Sequence, residues 1–232
     1  MLSNDVWNVQ MNAGDVSGEL RPFHGIQVPG ICFESSHCIW ILNFTETPTE
    51  IPNYTEIWLI SPDGRTTLFV DPPEAGPTVD QYHEFDEMVG AKIDISLPDQ
   101  ETIQVAVVSE DVAVDLTLTH ERTSRARALS AMLNATPKQI ARSQLGAAIG
   151  TATLNLLLPA NGLRVAGVTE TGRRYRNEPR QITVGTDASV TLDTEDLGDL
   201  TAPRRPIAFG DLHVPDRPVV TFGDLWLEYP AE

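Results

Sequence analysis

Short apolar runs punctuated by turn residues most constrain what this chain can fold into. Residues 37–44 form a continuous apolar run rich in β-branched and aromatic side chains. Residues 54–60 repeat that pattern after a polar loop holding Pro48 and Pro52. Ser61, Pro62, Asp63 and Gly64 have turn chemistry, and 66–70 reads as the returning strand of a hairpin. Residues 91–97 alternate: Ala91, Ile93, Ile95 and Leu97 share one face, while Lys92, Asp94 and Ser96 share the other. Residues 103–108 and 112–119 add two further strands.

The middle of the chain changes character. Residues 123–133 are rich in Ala, Leu and Arg and read as a helix capped by Thr123. Thr136 and Pro137 open a second short helix to about residue 145. A short acidic helix is expected within 78–88. Strand patterns resume at 152–158, 163–169, 181–184 and 188–192. No Pro/Gly/Ser-rich linker divides the chain. The expected fold is therefore mainly β: one domain over residues 1–232, a closed antiparallel β-barrel or sandwich with a helical insert at about 123–145.

Charge narrows the function classes. The chain carries 33 Asp+Glu against 16 Lys+Arg, a formal charge of −17, and its two lysines are Lys92 and Lys138. Such a balance argues against a broad basic surface for nucleic acid and against adhesion to anionic lipid. It suits a hydrated, carboxylate-rich surface in a high-salt, halophilic setting. No apolar run approaches the roughly 18 residues of a membrane helix, and the polar first 19 residues do not read as a signal peptide. Cys32 and Cys38 are too few for a disulfide scaffold or a four-cysteine zinc site, and are expected as buried free thiols. The expectation is a soluble cytoplasmic protein, open to homo-oligomerisation, with a small-molecule ligand and neither nucleic acid nor membrane as partner.

Common catalytic motifs are missing: there is no Gly-rich phosphate loop, no GxSxG elbow and no HExxH. His83, Glu84, Asp86 and Glu87 are the densest set of metal-ligand types, and read as a solvated acidic helix. No metal and no cofactor are expected. Arg122, Arg125, Arg127 and Arg142 read as partners of surface acids. One constellation stands out. Tyr54, Glu56 and Trp58 recur at period two, so an acid shares a strand face with two aromatics. Lys92 sits mid-strand. In a closed barrel such residues would line an interior pocket. Desolvation there would favour the neutral amine, which can attack a carbonyl and form a Schiff base. The bland alternative pairs Lys92 with Asp94 on the surface.

On these residues the chain resembles the acetoacetate decarboxylase-like family. Tyr54-Thr55-Glu56 is similar to that family's Tyr-x-Glu strand, and the stretch from Glu87 to Lys92 stands where its lysine motif falls. Phe33-Glu34 is similar to an acidic position at the barrel mouth, and 206–229 to the last two strands. The chain departs from the pattern where Ile93 replaces a second lysine, Ala91 replaces a proline, and Asp86-Glu87 replaces an Arg-Glu pair. The resemblance implies a small keto acid or carbonyl ligand, with Lys92 as the amine, Glu56 as the positioning acid, and Glu34 and Glu87 in support. Residues 40–44, Pro62-Asp63-Gly64, 114–118 and 161–167 also resemble lipocalin-like barrels. That likeness implies binding or isomerisation of an apolar molecule, lined by Trp40, Phe44, Tyr54 and Trp58. A third expectation is a structural or partner-binding domain without pocket chemistry.

Overall fold

The computed structural model describes residues 20–158 and 162–229. Strands β1 (Leu20–Phe33), β2 (Cys38–Glu46), β3 (Tyr54–Ile60) and β4 (Thr66–Asp71) form an antiparallel meander. A single 3₁₀ turn (Pro73–Ala75) and the short helix α1 (Gly76–Val79) lead to β5 (Glu87–Gly90), which pairs parallel with β4. Then β6 (Lys92–Ser96), β7 (Thr102–Val108) and β8 (Ala113–Glu121) form a second meander. Helices α2 (Ser124–Ala135), α3 (Lys138–Ala141) and α4 (Gln144–Leu157) follow. The chain returns through β9 (Ala166–Val168), β10 (Arg174–Leu192), β11 (Glu195–Asp196), β12 (Leu200–Thr201) and the small hairpin β13 (Ala208–Phe209) and β14 (Leu212–His213). It ends in β15 (Val219–Glu228).

The main sheet runs β5-β4-β3-β2-β1-β15-β10-β8-β7-β6 and curls into a nearly closed barrel. The two ends meet where Ala91 N–H donates to the Val70 carbonyl at 3.1 Å and Ile93 N–H donates to Asp71 Oδ2 at 2.8 Å. Bending strands this long needs local irregularity. Bulges interrupt β1 at His24/Gly25 and Val28/Ile31, and β10 at Pro179/Gln181 and Gly185/Asp187. Gly25 is required by close approach, because a side chain there would meet the Asn43 carbonyl of β2.

Period two divides each strand between two cores. The inner core is mainly aliphatic, with three phenylalanines (Phe33, Phe69 and Phe222): Val28, Ile41, Ile57, Phe69, Val105, Leu116, Val190 and Val220 come from every long strand of the sheet. Outside the wall lie two smaller cores. One is aromatic, with Phe23, Trp40, Phe44, Tyr54 and Trp58 covered by Val79 and Tyr82 on one side and Phe209 and Val214 on the other. The other seats Leu129 of α2 and Leu154 of α4 against Ile182, Val184 and Val219.

Four local expectations change. Residues 152–158 belong to α4 and its C-cap Leu158, not to a strand. The acidic helix expected within 78–88 is only the α1 turn before β5 begins. Residues 181–184 and 188–192 are one strand, β10, bent at Gly185. Cys32 and Cys38 face each other in register across β1 and β2 and form a disulfide, so they are not free thiols. No helix among the described residues is long and apolar enough to cross a membrane.

Candidate functional site

Strand β3 does place Tyr54, Glu56 and Trp58 on one face, but that face is the outer one. Ile57 and Leu59, between and beyond them, are the residues that line the barrel interior. The barrel interior is packed with apolar side chains, so the expected pocket for Glu56 is filled on that side. On the outer side the 73–85 segment and the β13–β14 hairpin roof the trio over, leaving Glu56 4% exposed.

Glu56 is held by its strand neighbours. Trp58 Nε1–H donates to Glu56 Oε2 at 2.8 Å, and the Tyr54 hydroxyl also donates to the carboxylate. Burial pushes the Glu56 carboxyl up to about 7, although both hydrogen bonds favour the charged form. Burial and the adjacent Glu56 likewise push Tyr54 well above its ordinary value. The His83 ring packs at a tilt against Trp58, with ring centroids 4.6 Å apart. It is 5% exposed, and burial lowers its proton affinity against the pull of Glu170, whose Oε2 lies 3.8 Å from Nδ1. A buried acid, an indole and a neutral imidazole thus form one layer, and His83 enters it although it was expected on a solvated acidic helix.

The other expected site residues do not join this layer. Lys92 stands in solvent on β6, its Nζ 3.6 Å from Asp94 Oδ2, with both side chains at least three-quarters exposed. Glu87 is exposed on β5 and lies 3.9 Å from Arg65. Glu34 is exposed in the β1–β2 turn, where its backbone carbonyl accepts from Arg204 at 2.6 Å. The arrangement of a desolvated lysine among three acids is therefore not assembled. Among the described residues, no group of three or more His, Cys, Asp or Glu is placed to hold a metal ion.

Trp40 links the aromatic core to a cleft. Its ring lies 4.9 Å from Trp58 and 5.9 Å from Phe209. It also lines a narrow lateral cleft of about 50 Å³ between the outer wall of the barrel and α4. The walls are apolar, from Leu154, Leu163 and Leu212, and the barrel side adds Gln27 and Asn177. Trp40 is 4% exposed, and neither its Nε1 nor Asn177 Oδ1 has a hydrogen-bond partner among the described residues. Trp40 Nε1 and Asn177 Oδ1 are thus an unpartnered buried donor and an unpartnered buried acceptor beside one apolar cleft. Period two shows that Gln27 and Asn177 are outward-facing, but nothing in the sequence shows that α4 folds back over them.

A separate polar row lies across β1, β15 and β10. His24 Nδ1 lies 2.8 Å from Asp224 Oδ1, Arg180 donates to Asp224 Oδ2 at 3.0 Å, and Arg142 Nε donates to Glu178 Oε1 at 2.8 Å. Burial opposes the charge on Asp224, but its His24 and Arg180 partners outweigh that and hold the carboxyl low. Both acids are spent on internal partners, so the row acts as a clamp between strands and helices. Comparison of the chain with protein-family models, curated proteins and solved structures finds no match.

Proposed function

We propose that the protein binds a small, mainly apolar molecule in the lateral cleft beside Trp40. The observation that carries this reading is the unpartnered indole N–H of Trp40 next to apolar walls from α4 and the β13–β14 hairpin. The ligand would present an acceptor to Trp40 and a donor to Asn177, with its apolar body against Leu154 and Leu163. This is the binding function implied by the lipocalin-like likeness, moved from the barrel interior to its flank. Glu56 then acts indirectly, by fixing Trp58 and through it the ring of Trp40. The exposed Lys92–Asp94 pair does not favour the Schiff-base reading. The disulfide fits an oxidising compartment better than the cytoplasm.

Titration with anilinonaphthalene sulfonate tests the proposal. Saturable one-site binding is expected, removed by Leu154→Trp, which fills the cleft, and unchanged by Lys92→Ala. Absence of saturable binding, or binding indifferent to Leu154→Trp, refutes it. Borohydride trapping of a β-keto acid on Lys92 would restore the decarboxylase-like reading instead.

A further inference from the structure

The acidic charge of the chain is unevenly distributed. Residues 122–169 contain no Asp or Glu, although the whole chain holds 33. The same span holds six cations: Arg122, Arg125, Arg127, Lys138, Arg142 and Arg164. Arg142 and Arg164 pair with Glu178 and Asp211. The other four are exposed.

Exposed apolar side chains concentrate in the same span. Eight large hydrophobic residues stand exposed among the described residues, and six of them lie here: Met132, Ile140, Leu145, Ile149, Leu156 and Val168. Leu145, Ile149 and Leu156 are 71%, 55% and 79% exposed. Their spacing of four and seven puts them on one face of α4, with exposed Ala148 and Ala152 between them. Helix α4 carries no charged residue over Gln144–Leu157. Its opposite face, Ala147, Gly150 and Leu154, is already buried against the barrel layer. An uncharged helix exposing three large aliphatic side chains is costly to leave in water.

We propose that this helical layer docks on an anionic lipid surface. The apolar face of α4 would enter the acyl boundary, while Arg122, Arg125, Arg127 and Lys138 meet the headgroups. Charge complementarity selects this occupant. A second copy of the chain on the same face would bring the same four cations together, whereas anionic headgroups neutralise them. The net charge of −17 does not forbid the contact. At about 0.1 M salt, charge more than roughly 10 Å away is largely screened, and residues 122–169 bring no acid of their own to the surface. The expectation drawn from net charge averaged over two regions that differ in sign. The inference does not depend on the cleft.

Vesicle flotation with the full chain tests it. At about 0.1 M salt, the protein is expected to float with phosphatidylglycerol vesicles and not with phosphatidylcholine vesicles. Two variants dissect the contact: Leu145→Glu/Ile149→Glu/Leu156→Glu on the apolar face, and Arg122→Glu/Arg125→Glu/Arg127→Glu on the charged one. Each should weaken flotation at least about tenfold with unchanged far-UV circular dichroism and unchanged probe binding in the cleft. No flotation with phosphatidylglycerol, equal flotation with phosphatidylcholine, or indifference to both variants overturns the proposal. So does a dimer in solution that the apolar-face variant dissociates, since a second copy then covers α4.

Discussion

The two faces of β3 are built from alternate residues of one short strand, yet they serve different ends. Inward, Ile57 and Leu59 join a core of apolar, mainly aliphatic side chains. Outward, Tyr54, Glu56 and Trp58 form a hydrogen-bonded row roofed by aromatic side chains. A barrel this size fills its interior with side chains, so closure consumes one face of every strand and leaves polar chemistry to the other. The packing energy of β3 therefore rests on its inner face, and its pH response on its outer one.

The largest effect should come from the inner face. Ile57→Ala removes a side chain that is 1% exposed, and should cost about 4 kcal/mol in urea denaturation. That loss should be nearly the same at every pH from about 5 to about 8, because neither Ile57 nor its apolar neighbours titrate. A loss that varies steeply with pH would show that the two faces are coupled through the backbone.

Glu56→Gln should behave in the opposite way. With its carboxyl raised from an ordinary 4.5 to about 7, the folded state keeps a proton that the unfolded chain has released. Glu56 therefore makes stability fall as pH rises across that window, and the penalty is complete above it. The glutamine variant should equal the parent near pH 4.5 and exceed it above pH 7 by up to about 3 kcal/mol. His83 has the reverse sign. Burial holds its affinity for protons below the ordinary 6.5, so it makes stability fall as pH drops through 6.5. His120, similarly desolvated, adds to that slope. In the parent these slopes oppose one another. In Glu56→Gln the histidine slope should stand alone, with melting temperature rising from pH 5 to pH 7. A melting temperature that falls over that range would contradict the assignment of the buried proton to Glu56.

Much of the barrel was legible because β2, β3, β4, β6, β7 and β8 are short apolar runs with turn chemistry between them. The grouping of Tyr54, Glu56 and Trp58 on one face follows from period two alone. Which face points inward does not, since Ile57 and Leu59 are as apolar as Tyr54 and Trp58, and only the register of all the strands decides. Strand β1 was missed because Pro22, Gly25, Pro29 and Gly30 read as breakers, whereas bulges absorb them. Residues 152–158 were read as strand because an apolar stretch without charges fits either period. The Cys32–Cys38 bridge depends on a hairpin register that spacing does not reveal. His83 looked solvated because its sequence neighbours are acids, although the segment roofing Trp58 buries it.

Lys92 offers the smallest expected effect and the sharpest limit on the comparison. It shares the outward side of the wall with Glu56, but it lies on β6, an end strand of the sheet path, where no roof covers it. An exposed pair such as Lys92–Asp94 gains little, because water screens the attraction and both side chains lose rotamer freedom on pairing. Lys92→Ala should therefore change urea stability by no more than about 0.5 kcal/mol. It should also leave intact the pH response that Glu56 creates. A loss of several kcal/mol, or a shifted Glu56 titration, would mean that the amine reaches beneath the roof in solution. The titrating outer patch of β3 would then have to extend across β4 and β5 to the far end of the sheet.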